Sequence, residues 1–391
     1  MRDICLVSPT FDEYIGGMET HGYEFAKFFL NDSINPIRSI LTKKKIKYGT
    51  PLNTNYASRS ALISDLVKPI LSGDFKEDAQ TIIDNSNFPE TILYMNSPTW
   101  TPVCSIIKEK YPDTKIIIRT GGNDIIAGWI GEGINDNCTL EESRSKLVTM
   151  LNRYTDYLIV NSEYSFNRML SVGIEINVLK KVIGGVDCKS FSPKKQDNSD
   201  CVNILTVGRL VEFKGIEYCL DIVRKVMNIS KKNITYSIIG DGPYKEIILN
   251  NIKNNPIQNI KILGAQRIEL MPEYFKTADI LLHMPISLRR YERESSYIHT
   301  ETMGRCLCEA SASGLPIIAT NVGGISEIVE NEKTGFLIPE KDISTATEKL
   351  NYLIDNYSER VRLGFNGRKR ALKLFDWNHV FDEYRKLFNK I

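Results

Sequence analysis

Along the first half of the chain, short apolar runs alternate with segments of helical spacing, and turns rich in glycine or serine stand at many of the junctions. "DICLVSPT" leads to "IGGMETHGYEFAKFF", and "ETILYMNSP" leads to "TPVCSIIKEKY". "TKIIIRTGGND" follows, then "YLIVNSEYS" with "FNRMLSVG", and "VLKKVIGGVD" closes the half. The runs lack polar alternation, so both of their faces are apolar. Such runs between helical segments predict a parallel sheet covered by helices on both sides.

The pattern breaks at 188–201, "CKSFSPKKQDNSDC", which is polar, charged and holds a proline. This reads as a linker. Beyond it the alternation restarts with "VNILTVGRL", "TYSIIGDGP", "IKILGAQ", "ADILLHMP" and "LPIIATNVGG". The expectation is an α/β chain of two doubly wound domains, 1–187 and 200–372. In the tail, Trp377, Val380, Phe381, Tyr384 and Phe388 fall at helical spacing, which predicts a closing amphipathic helix over 376–391. Open α/β sheets bind ligands beyond the carboxyl ends of their strands. Two such sheets facing one another would hold a substrate in the cleft between them.

Composition narrows the class. The 391 residues exceed one ordinary core, and 42% hydrophobic with 25% charged residues is a globular balance. A formal net charge of +2 gives no sign of a nucleic-acid partner. The basic run "KKKIK" at 43–47 reads as a solvated loop, with contact to an anionic membrane surface as the alternative. The eight cysteines include no paired C-x-x-C units, so no zinc site is expected. With no leader sequence, buried thiols in a cytoplasmic setting are the expectation. No apolar run approaches the roughly 20 residues that span a bilayer.

Candidate chemistry gathers at strand ends. In "ILTVGRLVEFKG", Arg209 and Lys214 follow the strand through Gly208. A guanidinium and an ammonium there suit a diphosphate, the first as a bidentate donor and the second as a point charge. "SIIGDGP" reads as a structural turn, with Asp241 capping the next helix. "TETMGRCLCEASASGLPIIATNVGG", 300–324, combines two carboxylates with a helix start. If that helix begins near Met303, the backbone N–H groups of Thr302, Met303 and Gly304 form an anion site. Glu301 then precedes the helix, and Glu309 lies two turns along, where it can accept bonds from vicinal hydroxyls. Ala310, Ala312 and Gly314 keep the helix slim. At the other end, Gly16 and Gly17 allow close approach of a phosphate or sugar. His21 has core packing as its competing reading, and Arg119, Asn123 and Asp124 in "RTGGND" are candidate readers of sugar hydroxyls.

With these residues assembled, the chain resembles the GT-B glycosyltransferases of family 4, the retaining group 1 transferases. The resemblance rests on G-R-x4-K-G at 208–215, the Glu301/Glu309 pair, A-x-A-x-G-x-P-I-I-A at 310–319, G-G-x-x-E at 323–327 and "EKTGFLIP" at 332–339. "GGMETH" and the final "FDW" agree. The resemblance implies that Arg209 and Lys214 neutralise a donor diphosphate, Glu309 holds a ribose, Glu301 contacts the transferred sugar and Gly17 lies near phosphates or acceptor. It further implies transfer of a hexose from a nucleoside-diphosphate sugar, usually UDP-linked, with retained configuration and without cofactor or metal. The acceptor would be a glycan or lipid-linked hydroxyl, with peripheral membrane contact as an option, and the final helix would cross back to the first domain. Other readings are an epimerase or phosphorylase of the same fold, or a non-catalytic subunit. Two departures stand out: Gly121-Gly122 replaces the family's His-Gly, and "LRRYERESSYIHT", 288–300, reads as an extra exposed polar loop.

Overall fold

A computed structural model describes residues 2–8, 17–43, 66–128, 138–194, 200–292 and 294–391. Gly16, positions 44–47 of the basic run, positions 195–199 of the expected linker, and Arg293 lie outside the described residues. The chain divides into two compact units. One comprises Met1–Ile183, Arg290–Tyr297 and Phe381–Ile391, and the other Gly184–Arg289 and Ile298–Val380.

Among the described residues, the parallel sheet of the first unit holds seven strands: β1 (Asp3–Ser8), β2 (Ile37–Lys43), β3 (Val67–Leu71), β4 (Thr91–Met95), β5 (Ile116–Thr120), β6 (Tyr157–Val160) and β7 (Leu179–Lys181). They pair in parallel in the order β3-β2-β1-β4-β5-β6-β7. All five residues of β4 and of β5 are buried, as the unbroken apolar runs require. Strands β2 and β3 escape the apolar-run reading, because Arg38 and Ser39 interrupt the one and Pro69 the other. A proline fits in β3 because that strand is an edge, where a missing N–H leaves fewer ladder bonds unmade.

The tail adds to this unit's core. Phe25, from helix Gly17–Phe29, stacks on Tyr94 with centroids 4.1 Å apart and ring planes 8° from parallel. Phe381, Tyr384 and Phe388 of helix Trp377–Phe388 close round Phe25 at 5.5–6.2 Å. Each aromatic buried this way removes a large apolar area from water. Arg385 fixes the helix further by an ion pair with the buried Asp32 at 2.5 Å.

The second unit repeats the scheme. Strands β8 (Cys201–Val207), β9 (Asn233–Ile239), β10 (Ile260–Ile262) and β11 (Ile280–His283) come first. Next in sequence come β12 (Leu288–Glu292) and β13 (Ser295–His299), a ribbon whose stretch Arg290–Tyr297 counts with the first unit, and then β14 (Ile317–Thr320) and β15 (Gly335–Ile338) of the second. The parallel sheet has the order β10-β9-β8-β11-β14-β15. Residues 288–292 and 295–299 therefore form a two-stranded ribbon rather than the expected polar loop. Its residues in β12 alternate between half-buried and exposed, the period of a strand. Residues 184–187, the end of the expected first domain, belong to the second unit, where Val186 N–H donates to Phe375 at 2.7 Å and Val186 bridges Asp376.

Candidate functional site

In the second unit the strand order reverses between β8 and β11, which pair through Ile204–Ile280 and Leu205–Leu281. A crevice forms at the carboxyl ends of strands at such a reversal. The chain leaves β8 through Gly208, Arg209 and Leu210, and the turn after β9 holds this exit in place. Gly208 N–H donates to Ile239 at 3.0 Å, Leu210 N–H to Asp241 at 2.9 Å, and Tyr244 N–H to Leu210 at 2.9 Å. Gly240, at φ +147°, lies so close that a Cβ there would stand 1.8 Å from the Gly208 carbonyl oxygen. The G-D-G turn is thus a clamp on the neighbouring loop. Asp241 does not cap the next helix, which starts at Lys245 behind Tyr244. It accepts from Gly242 N–H and pairs with Lys245 at 3.1 Å.

A 3-10 turn, Glu212–Lys214, sends the Lys214 stem back across Gly208, within 3.7 Å of where a Cβ would be. Its ammonium donates to Glu301 Oε2. Glu301 follows β13 and is held through its main chain: its carbonyl accepts from Gly324 N–H at 3.1 Å. Gly323, at φ +55°, approaches that carbonyl so closely that a Cβ would sit 1.7 Å from the oxygen. Only glycine satisfies both the left-handed conformation and the contact. The paired glycines after β14 therefore position the carboxylate.

A third group completes the arrangement. His283, the last residue of β11 and 2% exposed, places Nε2 3.4 Å from the same Oε2 of Glu301. Its Nδ1 faces Cys306 Sγ at 3.8 Å. Burial pushes the Glu301 carboxyl up, but Lys214 and His283 more than offset this and hold it well below the usual carboxylate range. Burial also disfavours the charged imidazole, yet the Cys306 sulfur and the Glu301 carboxylate raise His283 to about 9. Neither His283 nor the sulfur partner was singled out from sequence. The available signal was a lone titratable residue ending the apolar run "ILLH" at the carboxyl edge of a sheet.

The helix carrying Glu309 spans Arg305–Ala312, two residues later than expected. Thr302 and Met303 thus lie in the preceding loop, and Gly304 is the N-cap at φ +84°. All three are buried. Glu309 is buried too, and its carboxylate pairs with Arg305 one turn earlier at 3.1 Å. The two glutamates therefore face different cations. Arg209 is exposed on the β8 loop and joins no ion pair among the described residues.

The first-unit candidates are placed otherwise. His21 is a core residue: its Nε2 lies 3.0 Å from Tyr94 Oη and 3.2 Å from Tyr384 Oη, inside the aromatic cluster. Burial, aided by the nearby Arg119 charge, pushes its imidazole well below the ordinary value. Arg119 itself is 6% exposed at the end of β5. Asn123 accepts from Arg168 at 2.9 Å, and Asp124 accepts from the Thr120 hydroxyl and Ile125 N–H. Burial raises Asp124 despite those bonds. Gly17 begins its helix and is exposed, with nothing within 4 Å of a built Cβ among the described residues. Among the described residues no three His, Cys, Asp or Glu side chains are grouped to hold a metal ion. No described helix is long and apolar enough to cross a membrane.

The sequence profile of the family "Glycosyl transferases group 1" matches residues 189–370. These residues form a group 1 glycosyl transferase domain. Lys214, His283, Glu301 and Glu309 all lie within that transferase domain. Over a longer span the chain is 24% identical to spore coat protein SA of Bacillus subtilis (strain 168), across 339 residues, 81% of this chain and 82% of that one. It is 26% identical to sulfoquinovosyl transferase SQD2 of Arabidopsis thaliana across 254 residues, 61% of this chain but less than half, 45%, of that protein. The crystal structure of Anabaena Alr3699/HepE in complex with UDP-glucose superposes with a TM-score of 0.75 at 17% identity, covering the whole of both chains. The two doubly wound parallel sheets, with the transferase domain as the second, are the GT-B fold.

Proposed function

We propose that this chain transfers a hexosyl group from a nucleoside-diphosphate sugar, with UDP as the nucleotide, to a hydroxyl of a glycan or lipid-linked acceptor. The observation that carries the proposal is the meeting of Lys214 and Glu301 at the strand reversal, beside the exposed Arg209. In this reading Lys214 and Arg209 take up the charge that develops on the diphosphate as the C1–O bond breaks, in the place a metal would otherwise fill. The bonding pair leaves with the diphosphate. The acceptor oxygen bonds to C1 on the same face, and its proton passes to the departing phosphate, so configuration is retained. Glu301 contacts the sugar, Glu309 holds the ribose, and the loop 302–304 with the helix start lies against the phosphates. The UDP-glucose bound in Anabaena HepE supports the uridine choice. The name of a Corynebacterium glutamicum relative, a GDP-mannose-dependent phosphatidylinositol monomannoside mannosyltransferase, supports a glycolipid acceptor. A cell-surface polysaccharide acceptor and a place in the cytoplasm or peripheral to the membrane belong to the same proposal.

A donor screen tests this. UDP-, GDP- and ADP-sugars are added at saturating concentration and thermal unfolding is followed. A ligand at a hundred times its Kd stabilises the folded state by about 2.7 kcal/mol. The expected result is a rise with UDP-sugars, followed by sugar transfer when a glycan or lipid acceptor is supplied. No rise with any nucleotide sugar removes the proposal, and conversion of the sugar without acceptor turns it into an epimerase.

A further inference from the structure

We infer that His283 is a positioning residue, a resident counter-ion that keeps Glu301 ionised and aimed when Lys214 engages a diphosphate. The donor reading above is the ground for the second half of that statement, and the geometry is the ground for the first. Both Lys214 Nζ and His283 Nε2 converge on one oxygen, Glu301 Oε2. One carboxylate needs one cation. With a charged imidazole, the buried group carries an excess positive charge, which is what an incoming anion requires. Without the histidine, drawing Lys214 toward phosphate would leave Glu301, 12% exposed, with a bare charge in a desolvated place. A buried charge that loses its partner is strongly disfavoured and takes up a proton instead.

The surroundings of the imidazole settle its orientation. Three titratable groups face it: Lys214 from the 3-10 turn, Glu301 from the loop before the helix, and Cys306 from the helix Arg305–Ala312. With Nδ1 turned to the Cys306 sulfur, Nε2 lies 3.4 Å from Glu301 Oε2, within ion-pair range but without the alignment of a hydrogen bond. A protonated ring carries an N–H on both nitrogens, one toward the sulfur and one within ion-pair range of Glu301, whereas either neutral tautomer carries only one. The sulfur thus selects the ring position and Glu301 benefits from it.

Two measurements decide the matter, one of them independent of any donor. Long-range proton–nitrogen spectra of the full chain report the ring state of its four histidines, with His283 assigned by its loss in His283→Gln. The expected result is an imidazolium that persists through neutral pH, titrates near 9, and falls to the ordinary range or below in Glu301→Gln. Should that variant fail to fold, Lys214→Met is read instead, with the imidazolium expected to persist. A neutral His283 ring at pH 7 overturns the inference. The second measurement takes UDP-glucose as donor. His283→Gln is expected to lower kcat about tenfold and to move the acid limb of kcat upward by about one pH unit or more, with donor KM changed less than about threefold. A lowered kcat with an unmoved pH profile means a merely structural role and overturns the inference as well. If the wild-type chain uses no nucleotide sugar at all, the donor reading fails, while the ring spectra still decide whether His283 is the counter-ion.

Discussion

Lys214 and Glu301, 87 positions apart in sequence, form an ion pair with both side chains nearly withdrawn from solvent. The chain joins them by ending β8 beside β11 and by fixing the Glu301 carbonyl on the glycines after β14. Removing one partner of a buried pair typically costs about 3–5 kcal/mol. Lys214→Ala is therefore expected to destabilise the second unit by an amount near the lower end of that range, because His283 still faces the carboxylate. Loss of a cation that stabilises a leaving group is expected to reduce transfer by about 100-fold or more. Denaturant titration and turnover of a UDP-sugar check the two effects separately. A variant with unchanged turnover would break the link between this pair and the diphosphate.

The two buried histidines set opposite responses to pH. His283 is raised from 6.5 to about 9. Its contribution to stability is present in full below pH 6.5 and is lost as pH climbs through 9. His21 is lowered well below 6.5. The unfolded chain gains a proton there that the folded core refuses, so stability falls as pH drops below 6.5. Hydrogen exchange read separately in each unit is expected to show the second loosening on the alkaline side and the first on the acid side. His283→Gln should flatten the alkaline slope only, and His21→Gln the acid slope only. Coincident slopes in both units would contradict this assignment.

Glycine substitutions separate shape from ligand contact. At Gly323 a Cβ would collide with the Glu301 carbonyl and the φ is left-handed. Gly323→Ala is therefore expected to cost more than about 1–3 kcal/mol, the scale of one strained residue, and to displace Glu301. At Gly17 a Cβ meets no described atom within 4 Å, so Gly17→Ala should change stability by less than about 1 kcal/mol. Loss of turnover in a Gly17→Ala protein of normal stability would report a donor or acceptor passing over that helix start. Melting curves and kinetics on the same preparations distinguish the two outcomes.

Much of this architecture was legible because its strands are apolar on both faces, and "ETILYM" and "TKIIIRT" announce themselves. Strands β2 and β3 were less so, since exposed Arg38 and the edge proline Pro69 break the run. Ribbon 288–299 hid behind its charges, because half-buried strands alternate and long polar side chains mask the period. The start of helix Arg305–Ala312 depends on a left-handed Gly304, and a glycine in sequence does not declare its φ. His283 was invisible for a different reason. A single histidine closing an apolar strand gains meaning only when Glu301 and Cys306, distant in sequence, are brought against its two nitrogens.

The first unit is assembled from separate stretches of chain, and its last stretch, Phe381–Ile391, fills the space round Phe25 and Tyr94. Neither half can then be cut out as one continuous fragment. A product ending at Ile183 would bare an aromatic cavity, tend to aggregate, and be rescued by a synthetic peptide covering 376–391 supplied in trans. Ribosomal synthesis meets the same constraint: the stretch up to Ile183 waits for Phe381–Ile391 before its interior can close.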